Sequence, residues 1–260
     1  MTTYRFDDGA AYERMMGTWS RLVGPVFLDW LAPPPDLRWL DVGCGSGAFT
    51  EQIVERRAPA AVHGIDPSEQ QIKFARTRHG ARLVEFRQGD AMALPFEDRS
   101  LDVAVMALVI FFLTDPAKGV AEMARVVRRG GTVATYAWDM LGGGFPLEPV
   151  LIEMRALGVV HPPPPSDAAS KMEALRELWA GAGLAQVETR AIEVERTFAS
   201  FDEFWATSLS GSSVGRTVAQ MQPAAVAELR ARVMSRLPAD PAGRITYAAR
   251  ANAIKGRVPH

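Results

Sequence analysis

The chain has 260 residues, 48% of them apolar, 23% charged and 8% aromatic, which excludes wholesale disorder and permits a sizeable core. At roughly 150 residues per domain the length fits one large domain, or one domain with an elaboration. The 29 Lys and Arg against 30 Asp and Glu leave a net charge of −1, so there is no electrostatic case for a nucleic-acid or anionic-membrane partner.

In chain order, Tyr12, Met16, Trp19 and Val23 fall on one helical face, interrupted by Gly17. Gly24-Pro25 is expected to break this helix before Phe27–Leu31, so that the first segment hinges as a lid over a bound ligand. The alternative is a helix simply packed on the domain. Leu37–Val42 reads as a strand, Ser46–Arg57 as a helix, Ala61–Ile65 as a strand, Ser68–His79 as a helix and Arg82–Arg87 as a strand. Leu101–Ala107 is continuously apolar, as expected of a parallel strand covered on both faces. Asp115-Pro116 opens a helix that is expected to run to Gly130-Gly131, followed by a strand over Thr132–Trp138. Beyond Trp138 the elements are helices over Leu147–Leu157 and Lys171–Ala182, a strand over Gln186–Phe198, helices around Asp202–Leu209 and Pro223–Leu237, and a last strand over Arg244–Arg257. Strand–helix alternation implies a doubly wound α/β sheet with right-handed crossovers. Residues 1–32 form an N-terminal helical lid in this reading, 37–138 a cofactor-binding core, 139–183 a helical insertion and 184–260 the C-terminal strands and helices of a single domain.

Cys44 is the one cysteine, which excludes an intrachain disulfide framework and a multi-cysteine metal site. His63, His79, His161 and His260 show no ligand spacing, so no metal is expected. The longest apolar run, Val103–Leu113, is short of the roughly 20 residues that span a bilayer, and the first fourteen residues lack the apolar core of a signal peptide. A cytoplasmic protein without membrane insertion is expected, of open oligomeric state.

The informative segment is Leu40-Asp41-Val42-Gly43-Cys44-Gly45-Ser46-Gly47, between the first strand and the helix that follows. Glycines there allow a sharp turn and close approach of a ligand. As bare text, Gly43-x-Gly45-x-x-Ala48 also fits a dinucleotide fingerprint, a weak match by itself. Asp41 separates the two readings, because a carboxylate disfavours a pyrophosphate and favours a cationic or amino-bearing ligand. Asp66, 23 residues beyond Gly43 and at the end of the second strand, suits two ribose hydroxyls. Gly89-Asp90-Ala91, after the third strand, can meet an adenine amine. Together these describe a pocket for an adenosine with a positive tail.

On these residues the chain resembles the class I S-adenosylmethionine-dependent methyltransferases, of the type related to quinone-biosynthesis enzymes. LDVGCGSGAFT resembles their first motif, GIDPS the second-strand motif and GDAMALPFED the third. Asp102–Thr135 resembles their fourth strand, its helix and the turn into the fifth strand. The resemblance implies a seven-stranded, mostly parallel sheet with an antiparallel last strand. It implies S-adenosylmethionine as cofactor and S-adenosylhomocysteine as product. By it Asp41, Gly43, Cys44, Gly45 and Gly47 line the methionine part, Asp66 and Pro67 the ribose, Asp90 and Ala91 the adenine. Ala107 and Leu108 lie near the sulfonium, and Tyr12, Met16 and Trp19 bind the cofactor from the lid. Phe111-Phe112 stands where many relatives carry a His-His pair, which removes a candidate proton acceptor.

The expected reaction is methyl transfer to an O, N or C atom of a small, partly apolar metabolite. No Asp/Asn-Pro-Pro-Tyr motif follows the fourth strand, against a DNA base, and no carboxylate trio marks a magnesium-dependent site. No catalytic residue is assigned; Tyr12, Asp139 and His161 are candidate bases by chemistry alone, His161 reading more simply as part of a proline-stiffened loop. Trp138, Phe145 and Trp205 are candidate aromatic walls. Two other readings stay open: a catalytically silent cofactor-binding module and a nicotinamide-dependent oxidoreductase.

Overall fold

The computed structural model describes residues 13–260. After a single π-turn over Glu13–Gly17 the elements are α1 (Thr18–Leu31), β1 (Arg38–Val42), α2 (Ala48–Arg57), β2 (Ala61–Asp66), α3 (Glu69–Ala75), β3 (Val84–Gln88) and β4 (Leu101–Ala107). They continue with α4 (Pro116–Val126), β5 (Val127–Trp138), α5 (Glu148–Ala156), α6 (Met172–Gly181) and β6 (Ala185–Phe198). The last are α7 (Phe201–Leu209), α8 (Ser213–Ala219), α9 (Pro223–Arg236) and β7 (Ile245–Arg257). The strands form one seven-stranded sheet in the order β3-β2-β1-β4-β5-β7-β6. The pairs from β3 across to β5 are parallel, and β7 runs antiparallel to both its neighbours. This is the doubly wound sheet that strand–helix alternation implies, with the antiparallel last strand that the resemblance implies.

Local chemistry explains the boundaries. Val103 to Met106 of β4 are fully buried, because the strand has layers on both faces. Ser68 caps α3 by accepting from Gln71 N–H, and Asp115 caps α4 by accepting from Lys118 N–H ahead of Pro116. α4 ends at Val126, four residues short of the expected Gly130. The β-branched Val126-Val127 pair favours extension, and Arg128 binds Asp102 beside β4, which draws the chain into β5 early. α8 is absent from the sequence reading: it is short, and its main signal is Ser212, whose hydroxyl accepts from Gly215 N–H.

α1 corrects a second expectation. It runs unbroken through Gly24-Pro25, with Val23, Phe27 and Leu28 wholly buried. A Cβ on Gly24 would lie 2.1 Å from Gln52 Oε1 of α2, so glycine serves close helix–helix approach there rather than a hinge. Burial of this apolar face overrides the local cost of an interior proline. Trp19 packs against Trp138 and Tyr247, at ring-centroid distances of 6.2 and 5.2 Å. Among the described residues, then, the N-terminal helix is part of the core. Among them, too, no helix is long and apolar enough to cross a membrane.

The strand order reverses between β1 and β4. In open α/β sheets the crevice beyond the strand carboxyl ends at such a reversal is where ligands bind.

Candidate active site

Two cavities meet at that crevice. The larger, about 920 Å³, lies over the carboxyl ends of β1, β2 and β4, and the smaller, about 170 Å³, lies beside it under the segment following β5. Leu108, Phe112 and Pro163 belong to the walls of both.

The loop after β1 shapes the larger cavity. Gly43, Gly45 and Gly47 all have positive φ, at 73°, 51° and 79°. Gly43 and Cys44 both donate their N–H to Ile65 O at 2.8 Å, Gly45 N–H donates to Asp66 Oδ2 at 3.0 Å, and Gly47 N–H to Cys44 O at 2.8 Å. The loop is thus pinned to β2 by its own donors. A Cβ at Gly43 would lie 2.5 Å from Val109 Cγ2, so the turn admits only glycine without rearrangement.

Two carboxylates stand at this loop. Asp41, wholly buried, accepts the Thr50 hydroxyl on Oδ2 at 2.6 Å, while its Oδ1 has no partner. Burial lifts its pKa to about 7 against the opposing Thr50 bond, and the nearby charge of Asp66 adds to the rise. Asp66 accepts Gly45 N–H on one oxygen and Ser68 N–H, at 2.8 Å, on the other. Its pKa is raised by burial against those two bonds. Burial, with the charges of Asp41 and Asp66, pushes the Cys44 thiol far above its ordinary range, so it stays protonated and is no nucleophile. Asp90 is exposed and accepts Met92 N–H at 2.8 Å.

Of the residues singled out in the sequence, Asp41, Gly43, Cys44, Gly45, Asp66, Pro67, Asp90, Ala91, Ala107 and Leu108 come together on the larger cavity. Gly47 does not line it. Its left-handed turn starts α2, and a Cβ there would press on Ala75 at 3.1 Å and Phe86 at 3.3 Å. Met16 lines the smaller cavity instead, and Trp19 lines neither, held in the core by Trp138 and Tyr247. Tyr12 lies outside the described residues. Helical phase explains the substitution: the residue of α1 on the larger cavity is Ser20, one position beyond Trp19.

Asp139 is removed as a candidate base. Its carboxylate takes Arg250 Nη2 at 2.7 Å and Gly142 N–H at 3.0 Å, which folds the glycine turn after β5, and it lines neither cavity. His161 lines the smaller cavity, with Nδ1 3.0 Å from Thr217 Oγ1 and Nε2 3.3 Å from Ser213 Oγ. Burial, and after it the charge of Arg216, lowers its pKa, so the imidazole is neutral at pH 7. The proline run beside it is a wall: Pro162, Pro163 and Pro165 face the larger cavity, Pro163 and Pro164 the smaller. Ser166 ties this segment to the turn after β4, donating N–H to Phe111 O at 3.0 Å and its hydroxyl to Leu113 O at 2.8 Å. Trp138 and Phe145 line the smaller cavity, whereas Trp205 stacks on Phe201 away from both. No local motif marks the proline wall or His161, because their partners lie about 50 residues away in sequence (|i−j| of 53 and 56).

Leu108 is the one strained non-glycine residue on the junction of the cavities, with φ of 61° and its N–H held by Tyr136 O at 2.8 Å. Left-handed conformations of such residues persist where surrounding structure enforces them, commonly at functional sites.

Residues 40–135 match the family model of a methyltransferase domain, and the seven-stranded sheet is the fold of the class I methyltransferases, whose cofactor is S-adenosylmethionine. The chain carries a domain of that class. It is 34% identical over 131 residues to the ubiquinone/menaquinone biosynthesis C-methyltransferase of Dinoroseobacter shibae, covering 49% of this chain and 52% of that one. The chain spans about half the length of the curated relatives it matches, or less. Solved structures share its fold at low identity. A Bacillus halodurans protein provisionally assigned as a methyltransferase matches at TM-score 0.62 and 18% identity, over 91% of this chain and 99% of that one. A phosphoethanolamine N-methyltransferase of Haemonchus contortus, in complex with phosphomonomethylethanolamine and S-adenosylhomocysteine, matches at TM-score 0.62 and 20% identity, over 100% of this chain and 59% of that one.

Proposed function

We propose that the protein transfers a methyl group from S-adenosylmethionine, held in the larger cavity, to a small, partly apolar molecule. The observation that carries this reading is the wholly buried, half-satisfied Asp41 beside a glycine loop that admits no side chain at Gly43. A buried carboxylate with one unpartnered oxygen is stabilised by a cation, and the ligand's ammonium or sulfonium end supplies one. Asp66 keeps lone pairs for the two ribose hydroxyls beyond those used by Gly45 and Ser68. Asp90 and Ala91 flank the adenine, and Ala107 and Leu108 the sulfonium.

The same loop speaks against a dinucleotide. The N–H groups of Gly43, Cys44, Gly45 and Gly47 are spent on Ile65, Asp66 and Cys44, so they do not cradle a pyrophosphate. Two carboxylates at the turn would also repel one. The protein's part in the transfer is alignment and exclusion of water in a largely apolar enclosure, where the sulfonium's charge disperses as the methyl leaves.

Calorimetric titration tests this. S-adenosylhomocysteine is expected to bind with micromolar-scale Kd, and at 100-fold excess over Kd to add about 2.7 kcal/mol of stability. Incubation with methyl-labelled S-adenosylmethionine and fractionated metabolites, followed by mass spectrometry, then identifies the acceptor. Binding of NADH without binding of S-adenosylhomocysteine would overturn the reading. Binding with no labelled product from any fraction would leave a cofactor-binding module without transfer.

A further inference from the structure

We propose that the smaller cavity holds the methyl acceptor, that this acceptor presents a neutral, one-ring-sized moiety bearing a hydroxyl, and that His161 Nε2 takes the hydroxyl proton as the methyl is transferred to oxygen. This rests on the reading of the larger cavity as the methyl donor's site.

Size comes first. A dry cavity of about 150 Å³ accommodates benzene, so 170 Å³ suits a single ring or its equivalent. The lining is thioether and aromatic: Met16, Met140 and Met154 with Phe111, Phe112 and Phe145 among them. Methionine sulfur packs well against ring edges and adapts to shape. The side toward the donor is the wall common to both cavities, where Leu108, Phe112 and Pro163 stand.

Charge comes second. Glu148 and Arg155, both on the lining, form an ion pair with each other. Asp167 is the remaining charged group on the lining, and Arg216 faces His161 from α8. A phosphate would therefore find no unpaired cation on the lining and would be repelled by Asp167, while an ammonium would have Asp167 as its partner but would meet the field of Arg216 at His161. A neutral occupant fits without breaking the Glu148–Arg155 pair.

The hydrogen-bond network then fixes the imidazole. Thr217 Oγ1 donates to Ser213 O at 3.2 Å, which commits its single proton. It therefore accepts from His161 Nδ1–H at 3.0 Å. Nδ1 carries the ring proton, so the Nε2 lone pair accepts from the Ser213 hydroxyl at 3.3 Å; both residues stand on the lining, and the acceptor's hydroxyl takes the place of Ser213 at Nε2 when it binds. The tautomer is thus assigned by the network rather than by the ring itself. The lowered basicity from burial and Arg216 keeps this lone pair available at neutral pH. In the transfer, the sulfonium carbon–sulfur bond breaks and its electron pair stays on sulfur. An oxygen–carbon bond forms from an oxygen lone pair. The hydroxyl proton moves to Nε2, leaving an imidazolium whose Nδ1–H remains on Thr217.

The test uses the full chain and four one-ring probes: p-cresol, toluene, phenyl phosphate and benzylamine. Titration with S-adenosylhomocysteine alone comes first; its failure would remove the donor-site reading and is thereby distinguished from failure here. On the S-adenosylhomocysteine-saturated protein, p-cresol is expected to bind at least tenfold more tightly than the other three. Leu151→Trp, which fills the smaller cavity alone, is expected to abolish p-cresol binding and leave S-adenosylhomocysteine affinity within twofold. With labelled S-adenosylmethionine the wild type is expected to yield labelled 4-methoxytoluene, at a rate that rises with pH as His161 loses its proton. His161→Gln is expected to lower that rate at least 100-fold and remove the pH dependence, with unchanged S-adenosylhomocysteine binding. Equal binding of phenyl phosphate or benzylamine, p-cresol binding that survives Leu151→Trp, no labelled ether from the wild type, or a wild-type pH profile in His161→Gln would each overturn the proposal.

Discussion

At the carboxyl ends of β1, β2 and β4 the larger cavity is built around one local loop. The left-handed Gly43 and Gly45 and two strand-end carboxylates, Asp41 and Asp66, line it, all within residues 41–66. The smaller cavity draws its lining from residues far apart in the chain, from Met15 before α1 to Ser213 at the start of α8. A site built around one tight loop depends on a few positions that tolerate no substitute, as at Gly43. A site built from dispersed side chains can change its lining one residue at a time while the sheet stays as it is, which lets one fold serve many acceptors.

The largest expected effect lies at Asp41. Its folded pKa of about 7 exceeds the ordinary carboxylate value, so the folded protein keeps a proton that the unfolded chain releases. The stabilisation from that proton is complete below about pH 4 and is lost as pH rises through 7, to a total on the order of 4 kcal/mol. Asp41→Asn removes this term. Denaturant melts at pH 5 and pH 8 are expected to show the variant gaining on the wild type as pH rises, while its affinity for S-adenosylmethionine falls. Asp66, also raised by burial, leaves a residual slope of the same sign. Parallel pH curves for the two proteins would mean that Asp41 is not a buried charge held for a cation.

Next is Gly43 against Gly45. Alanine at either pays about 1–2 kcal/mol for a left-handed residue. At Gly43 it also meets Val109, whereas nothing lies within 4 Å of a Cβ at Gly45. Overpacking of this kind costs about 1–3 kcal/mol more. Gly43→Ala should therefore melt well below Gly45→Ala, and Val109→Ala should rescue it in part. Equal melting points would show that the loop's conformation, not its crowding, selects glycine.

The same contrast decides what was readable in advance. β1, β2, β4 and β7 were legible because their apolar runs and flanking turns are local, and Asp41, Asp66 and the glycine loop because their spacing is. The phase of α1 was not: Met16 and Trp19 were expected to face the cofactor, whereas Ser20 is the residue of α1 that lines the larger cavity, since a helical face tells which residues are buried but not against what. Pro25 was misread because packing of Val23, Phe27 and Leu28 outweighs a local preference. Of the candidate bases, Asp139 folds a turn and His161 lines a cavity, and the sequence could not separate them for a similar reason. Arg250, which occupies Asp139, and Thr217, which orients His161, are 111 and 56 residues distant in sequence.

Asp66 is expected to show a smaller effect than the loop glycines. Asp66→Asn keeps one oxygen for Ser68 or Gly45 but turns an amine toward the other, so it loses one charge-assisted bond and its grip on the ribose. A fall of about tenfold in S-adenosylhomocysteine affinity, near 1.4 kcal/mol, is expected by calorimetry. Because both oxygens already hold the loop in the free protein, the variant should also melt a few degrees lower. A tenfold loss of affinity with no change in melting would assign Asp66 to the ligand alone.

The smallest expected effect tests whether α1 moves. Its apolar face is buried against β5, β7 and α2, through Trp19 on Trp138 and Phe27 on Tyr136 at 4.8 Å. Arg196 of β6 adds a hydrogen bond to Met15 O at 3.0 Å, and Lys255 of β7 one to Trp30 O at 3.2 Å, so both ends are tied to the sheet. A lid would have to break all of these on each cycle. Amide hydrogen exchange of Trp19–Leu31 is therefore expected to be slow, and equally slow with and without S-adenosylhomocysteine. Pro25→Ala should leave S-adenosylhomocysteine affinity within twofold, because a helix that does not bend gains nothing from losing its proline. Protection of Trp19–Leu31 that rises on binding would restore the hinge at Gly24-Pro25. The two sites would then share a moving wall, with Met16 and Ser20 carried together against the smaller and the larger cavity.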